Sequence, residues 1–185
     1  MKKIVLALAV LTAVLFGVNF EEYKKDCNDG NEESCVKMAL YYSVGNGVEQ
    51  SQKKSIETFE ESCNRGYMKS CYLLSTYYPG PNGKRDTKKE KKLLKKSCEG
   101  NYGEACLYLG LEYENGKFFK RNYKKSRELY NKSCELGHGA GCYQLALCYY
   151  NGEGVKKDYR KAKRLFKVAC DKGSYEGCDA LKSSK

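Results

Sequence analysis

Apolar side chains recur at helical spacing in two consecutive segments of the C-terminal half of the chain. The first segment carries them at positions i, i+3, i+4 and i+7: Cys142, Leu145, Ala146 and Tyr149. The second carries a similar stripe: Ala162, Leu165, Phe166 and Ala169. Such stripes are typical of amphipathic helices. Residues 151–154 break the pattern, Asp158 is placed to cap the second helix, and Gly173 is placed to end it. The pattern therefore predicts two helices joined by a short turn.

The same pattern returns along the chain with a period of 35 or 36 residues. Ten of the 11 cysteines form five pairs with a separation of eight positions: Cys27/Cys35, Cys63/Cys71, Cys98/Cys106, Cys134/Cys142 and Cys170/Cys178. A small residue and a tyrosine three positions later recur in the same register: Ala39/Tyr42, Ser75/Tyr78, Gly110/Tyr113 and Ala146/Tyr149. We expect these tyrosines to fill the space beside the small residues, as core packing and not as a binding motif. A fixed period in this range indicates an array of helical repeats.

This register divides the 185 residues into predicted units. They are a signal peptide (1–17), an N-terminal lead-in (18–30), repeats 1 to 4 (31–66, 67–101, 102–137 and 138–173) and a C-terminal capping helix (174–185). The predicted fold class is all-α, a solenoid of helix-turn-helix repeats. Repeat 2 carries two prolines, Pro79 and Pro81, where repeat 4 has its glycine turn, so we expect an altered turn there.

The first 20 residues have the layout of a secretory signal. Lys2 and Lys3 precede an apolar run from Ile4 to Phe16, and the chain turns polar at Glu21. The alternative is an uncleaved anchor, for which the run has only the minimum length. We therefore expect an exported protein, either secreted or periplasmic.

The eight-residue spacing has a physical reason in a helical hairpin. The first cysteine of each pair ends one helix and the second begins the next, so the turn between them brings their Cα atoms to about 5.5 Å, the distance of a disulfide. Eleven cysteines in an exported chain favour bridges over free thiols. A metal site would need closely spaced cysteine or histidine ligands. The single histidine, His138, stands between glycines, so we expect neither a metal nor a cofactor.

A family resemblance emerges from repeat 4. Leu145-Ala-x-x-Tyr149, Gly152-x-Gly154-Val155-x-x-Asp158 and Ala169-Cys170 resemble the Sel-one-like repeat, a relative of the tetratricopeptide repeat. With the paired cysteines, the chain is similar to the Helicobacter cysteine-rich protein family over roughly residues 24–182. The resemblance implies a right-handed superhelical solenoid with one disulfide per repeat. It also implies penicillin binding with weak β-lactamase activity for some members, or a secreted factor that meets the host.

Cys148 is the one cysteine without a partner at the eight-residue spacing. It falls on a first helix, the helix that lines the concave face in this kind of solenoid. Three roles stay open for it: a catalytic nucleophile, the bridge of an intermolecular dimer, or an inert free thiol. A nucleophile needs a neighbouring base, and His138 lies ten residues away.

Serine β-lactam chemistry would need the element Ser-x-x-Lys with partner motifs. The chain has this element at Ser34/Lys37 and at Ser51/Lys54. Thirteen serines in a lysine-rich chain produce about two such matches by chance, and the partner motifs Ser-Asp-Asn and Lys-Thr-Gly are absent from the sequence. No catalytic residue can be assigned from the sequence.

The charge is unevenly distributed along the chain. Residues 21–63 hold five basic and ten acidic side chains, whereas residues 64–185 hold 27 basic and 13 acidic ones. The basic runs fall on predicted second helices, either as a solvated face or as a surface for anionic cell-surface glycans or lipid headgroups. Nucleic acid is not expected as a partner of an exported protein.

We expect a monomeric binding module, because solenoids present a continuous surface to extended partners. The expected partners are a peptide or protein segment on the concave face, a host component, or cell-wall material such as peptidoglycan fragments. The alternative is a penicillin-binding protein with weak β-lactamase activity, which rests on the family resemblance alone.

Overall fold

The computed structural model describes residues 20–77, 86–117 and 119–183. The described residues form helices and contain no strand. A first helix, α1, includes residues 20–28. The others are α2 (Glu32–Val44), α3 (Gln52–Asn64), α4 (Met68–Tyr77), α5 (Thr87–Glu99), α6 (Gly103–Asn115), α7 (Tyr123–Glu135), α8 (Gly139–Asn151), α9 (Tyr159–Asp171) and α10 (Tyr175–Ser183). The predicted all-α repeat fold is confirmed. The predicted signal peptide and the proline-containing turn of repeat 2 lie outside the described residues.

The helices belong to two compact units, one up to residue 78 and the other from residue 79 onward. In unit 1, α3 packs against both α2 and α4. In unit 2, each helix from α5 to α10 packs against the next one in the chain. Packing between sequence neighbours is the arrangement of a repeat protein, whose core is assembled from local pairs.

Helix α1 lies within the segment that the sequence predicts only as a lead-in. Its Phe20 is 4% exposed and meets the Tyr42 ring edge-on, with the centroids 5.1 Å apart. Cys27, near its end, is 1% exposed. The spacing of the cysteines does contain a signal for this helix, because Cys27 occupies the position that ends a second helix in every later repeat.

Polar side chains begin the second helices. Ser51, Asn122 and Asp158 each accept a hydrogen bond from the backbone N–H three residues ahead, and in α9 the Lys161 N–H lies 2.8 Å from Asp158 Oδ1. These bonds satisfy donors that have no partner within the helix. Glycine ends the first helices, and Gly152 has a φ of +80° that other residues rarely adopt. The predicted helix limits at Asp158 and at residues 151–154 therefore have a local cause.

Five disulfides join consecutive helices at the turn between repeats. They link Cys27–Cys35, Cys63–Cys71, Cys98–Cys106, Cys134–Cys142 and Cys170–Cys178, with Cα atoms 4.4 to 4.7 Å apart. The second cysteine of each of the first four bridges has no exposed surface. Each bridge closes a nine-residue loop, which corresponds to about 2.5 kcal/mol on the loop-entropy account.

The small residues allow close helix crossings, and the tyrosines pack beside them. Ala39 and Ala146 are fully buried. Tyr113 and Tyr149 are 7% and 9% exposed, as expected for core packing. A lysine twelve positions after the tyrosine lies over its ring in three repeats: Lys54 on Tyr42, Lys125 on Tyr113 and Lys161 on Tyr149. This recurring contact fixes the first helix of a repeat to the second.

Candidate functional site

Cys148 lies on the inner side of α8 in unit 2, in the same buried core as Tyr130 and near the partly exposed Glu114 and Arg127. Its side chain is 3% exposed. Burial raises the pKa of the thiol to about 12, with the nearby Glu114 carboxylate as the second cause. Arg127 of α7 acts on the thiol pKa in the opposite direction. Cys148 is therefore protonated at neutral pH and lacks the thiolate character of a nucleophile.

Tyr130 belongs to this core at the crossing of α6 and α7. Its ring has no exposed surface, and its hydroxyl donates a short hydrogen bond to Glu114 Oε2. Burial raises the pKa of Tyr130, and the bond to Glu114 raises it further. The phenol therefore stays protonated and remains a donor to Glu114, which gives this hydrogen bond a structural role.

Two of the roles left open for Cys148 do not fit its position in the fold. An intermolecular bridge would need an exposed sulfur, and the side chain faces the core instead of the concave surface expected for it. His138 cannot serve as its base, because it is the N-cap residue of α8 while Cys148 lies near the C-terminus of the same helix. Ten residues of helix separate them by about 15 Å. The remaining interpretation, a buried free thiol, fits the geometry.

The two Ser-x-x-Lys matches occupy structural positions at helix starts. Ser51 is the N-cap of α3, where its Oγ accepts from the Lys54 N–H at 3.2 Å, and the Lys54 ammonium lies over the Tyr42 ring. Ser34 lies in the first turn of α2 and is 5% exposed. Lys37 lies over the ring of Tyr23. Both lysine ammonium groups are thus placed over tyrosine rings, and the Ser51 hydroxyl oxygen serves as a helix cap.

Within the described part of the chain, no three cysteine, histidine, aspartate or glutamate side chains are grouped as metal ligands. No helix in the same residue ranges combines the length and the apolar character needed to cross a bilayer.

A groove of about 520 Å³ opens between α7 and α8 in unit 2. Leu145 and Tyr149 of α8, both largely buried, form its apolar floor. The α7 side is polar and consists of Arg127, Glu128, Asn131, Lys132 and Glu135. The groove thus combines an apolar floor with charged groups of both signs and one carboxamide.

Hydrogen bonds hold the groove residues in place. Lys161 Nζ donates to the Tyr149 hydroxyl at 2.8 Å, and this bond lowers the pKa of that phenol. Asn131 Nδ2 donates to Glu135 Oε1 at 2.7 Å along α7. The groove cannot be predicted from the α7 residues in the sequence. Polar residues on a second helix have the same pattern whether or not they line a groove.

The basic runs lie on α5, α7 and α9, all in unit 2, as the sequence predicts for second helices. Exposed basic residues on these helices include Lys88, Lys92, Lys95, Lys124, Lys125, Arg160, Lys163, Arg164 and Lys167.

Comparison with known proteins places the chain among repeat proteins of one type. The Sel1 repeat model matches residues 32–67, 69–102, 103–138 and 139–174. Among solved structures, Helicobacter pylori cysteine rich protein B is 34% identical, with a TM-score of 0.59, over 72% of this chain and 97% of that protein. No curated protein sequence matches the chain.

Two further solved structures share the fold. A Sel1 repeat protein from Oxalobacter formigenes is 22% identical with a TM-score of 0.78, covering 89% of this chain and 67% of the other. A protective antigen of uropathogenic Escherichia coli strains, described as having an SLR fold, is 23% identical with a TM-score of 0.75. The alignment covers 88% of this chain and 35% of that protein, so the chain spans about a third of the antigen's length.

Proposed function

The chain belongs to the Sel1 repeat family, and from this premise we propose that it is an exported module that binds an extended polypeptide segment in the α7–α8 groove. Family membership supports a repeat binding module, and Sel1 repeat proteins generally mediate contacts between proteins. The groove itself is the observation on which the more specific proposal rests.

The chemistry of the groove suits a peptide. Leu145 and Tyr149 offer apolar contact to a side chain of the partner. The Asn131 carboxamide has the same donor and acceptor groups as a peptide unit, so it can pair with a partner's backbone. Arg127 and Glu128 supply opposite charges on the same wall, and these would select among partner side chains.

The rigidity of the groove also supports this proposal. The Cys134–Cys142 bridge joins the end of α7 to the start of α8, and the Tyr149–Lys161 bond ties α8 to α9. A preformed groove loses little conformational entropy on binding, which favours affinity for a flexible peptide.

Five disulfides support the exported location in this proposal, because such bridges persist in oxidising compartments. We propose that the protein acts in the periplasm or outside the cell.

The β-lactamase alternative gains no support from the geometry. Ser51 is engaged as a helix cap, Ser34 is buried, and Cys148 has a pKa of about 12. Penicillin binding therefore remains an implication of the family resemblance and forms no part of the proposal.

To test the proposal, peptides that bind the disulfide-intact protein are selected from a random displayed library. Asn131→Arg places a long side chain in the groove, and Asn115→Arg makes the same change at an exposed position of α6 outside it. We expect Asn131→Arg to lower the affinity of the protein for the selected peptides by about tenfold or more, as measured by titration. Asn115→Arg should leave this affinity within about twofold of the wild-type value. The proposal fails if no peptide is enriched, or if both variants bind equally well.

A further inference from the structure

Two cationic side chains act on the hydroxyl of Tyr149, a residue that lines the α7–α8 groove. Lys161 Nζ of α9 donates to this hydroxyl at 2.8 Å. The Arg127 guanidinium of α7 lies close enough to lower the pKa of the phenol as well. A phenol oxygen that accepts a hydrogen bond still has its own proton to donate. Because Arg127 and Tyr149 both line the groove, the groove presents a guanidinium and a hydroxyl donor to whatever it binds.

The guanidinium of Arg127 has hydrogen-bonding capacity that the chain itself does not use. A guanidinium carries five N–H donors in a planar fork. The Nε of Arg127 is buried and meets no acceptor among the described residues, and no carboxylate of those residues forms a salt bridge with this side chain. Glu114, which lies near Cys148 as Arg127 does, is already bonded to the Tyr130 hydroxyl. A buried donor without a partner costs free energy, which an acceptor placed against the guanidinium would recover.

The other charges of the groove leave the Tyr149 end cationic. Glu135 accepts a hydrogen bond from Asn131 at 2.7 Å and lies about two turns along α7 from Arg127. Glu128 is exposed, whereas Arg127 is only partly exposed. A group that packs on the buried Tyr149 ring is therefore adjacent to the guanidinium, while the Glu128 carboxylate extends toward solvent.

We propose that the groove recognises a carboxylate of the bound segment, to which the Arg127 guanidinium and the Tyr149 hydroxyl both donate. This inference deepens the peptide-binding proposal above and rests on it. A guanidinium donates two parallel hydrogen bonds to the two oxygens of a carboxylate, and the phenol supplies a third donor. Such bonds are stronger in a partly buried groove than in open solvent. The carboxylate is either the C-terminus of the segment or the side chain of an aspartate or glutamate.

The composition of the groove favours a carboxylate over a phosphate. A phosphate monoester carries nearly two negative charges and three acceptor oxygens, and proteins recognise it with clusters of arginines. Among the described residues that line the groove, Arg127 is the one arginine. The acidic residues of the same wall, Glu128 and Glu135, would also oppose a doubly charged group more strongly than a singly charged one.

The test uses the disulfide-intact protein and two random displayed peptide libraries, one with a free C-terminus on each peptide and one with the C-terminus fused. Selected peptides whose affinity Asn131→Arg lowers are synthesised, and each carboxylate is replaced in turn by a carboxamide. The site variants are Arg127→Gln and Tyr149→Phe, of which the second removes the hydroxyl and keeps the ring. The matched control is Arg164→Gln, which makes the same charge change at an exposed position of α9 outside the groove. Circular dichroism checks that every variant is folded.

We expect the wild type to bind the carboxylate form of a selected peptide about tenfold more tightly than the carboxamide form. Arg127→Gln should reduce this preference to within about twofold and Tyr149→Phe should reduce it in part, whereas Arg164→Gln should retain it. The carboxamide form should bind the wild type and Arg127→Gln with similar affinity. Enrichment from the library with free C-termini alone assigns the terminal carboxylate, and aspartate or glutamate in peptides from both libraries assigns a side chain.

Three results would overturn the proposal. Equal weakening of both peptide forms by Arg127→Gln would indicate a structural role for this residue, and loss of the preference in Arg164→Gln as well would indicate a diffuse charge effect. Selected peptides without a carboxylate preference would overturn it while the groove proposal stands. If neither library yields a peptide whose affinity Asn131→Arg lowers, the groove proposal fails, and the carboxylate proposal fails with it.

Discussion

The ring of Tyr130 packs directly on the backbone of Gly110 where α6 crosses α7. A β-carbon at Gly110 would lie 2.5 Å from Tyr130 Cε1 and 2.7 Å from Cδ1, closer than carbon atoms approach in proteins. The ring has no room to retreat, because it is fully buried and its hydroxyl is bonded to Glu114. The absence of a side chain at residue 110 therefore sets the distance between these two helices.

Gly110→Ala should destabilise the protein. Alanine gains about 1 kcal/mol of helix propensity over glycine, but forcing a methyl group into this contact costs about 1–3 kcal/mol or more. We expect a net loss of about 1 kcal/mol, measured by urea unfolding with the disulfides intact.

The double variant Gly110→Ala with Tyr130→Leu provides the control for this contact. Leucine lacks the ring that meets the new methyl group, so the double variant should be about 1 kcal/mol more stable than the sum of the single effects predicts. Strict additivity would show that the two residues do not act on each other.

Cys148 should resist thiol reagents in the native protein. Its side chain is 3% exposed and its pKa of about 12 leaves almost no thiolate near neutral pH. Ellman's reagent should therefore react only at the rate at which the protein opens. Tyr150→Cys in a Cys148→Ala background places a thiol two positions along α8 at a 48% exposed site and should react at least about a hundredfold faster. Equal rates for the two thiols would contradict the assigned burial.

The same thiol should make the fold sensitive to alkali. The pKa of Cys148 rises from 9.0 to about 12 on folding, so the unfolded chain loses this proton at lower pH than the folded one. The contribution to stability is complete below pH 9 and is lost as the pH rises from 9 toward 12.

Cys148→Ala removes this contribution and tests it. Between about pH 8 and about pH 10, the wild type should lose roughly 1 kcal/mol more unfolding free energy than the variant. Urea unfolding at the two pH values measures the difference, and recovery of the native signal on refolding excludes disulfide exchange. Parallel losses in the two proteins would assign the alkaline effect to other groups, such as Tyr130.

The five disulfides should differ in their rate of reduction. Cys170 and Cys178 are both half-buried, whereas the second cysteine of every other bridge has no exposed surface. Reduction requires a reductant to reach a sulfur atom, so Cys170–Cys178 should open first under mild phosphine treatment. Alkylation followed by peptide mapping identifies the opened bridge. Early reduction of Cys134–Cys142 would show that the core opens more readily than the C-terminal helix.

Much of the fold could be predicted from the sequence because its determinants are local. The cap at Asp158 acts over three residues, the turn at Gly152 over one, and the Cys134–Cys142 bridge over eight. Each interaction connects positions that are close in the chain, so the 36-residue period shows them directly. For helix α1 the local signal is Cys27, which occupies the position that ends a second helix in the later repeats.

The groove and the buried environment of Cys148 depend on contacts between residues far apart in sequence. Glu114, Arg127 and Cys148 come from three helices, and the packing of these helices buries the Cys148 thiol, which the sequence places on a helix of the concave face. Lys95 and Lys125 are 30 positions apart, and each lies over one ring of the stacked Phe119–Tyr113 pair. The sequence by itself determined the repeat, its helix limits and its local bridges. Tertiary structure alone decided which side chains face the core, line the groove or lie on the charged surface. This placement depends on which face of each helix is covered by the neighbouring helices.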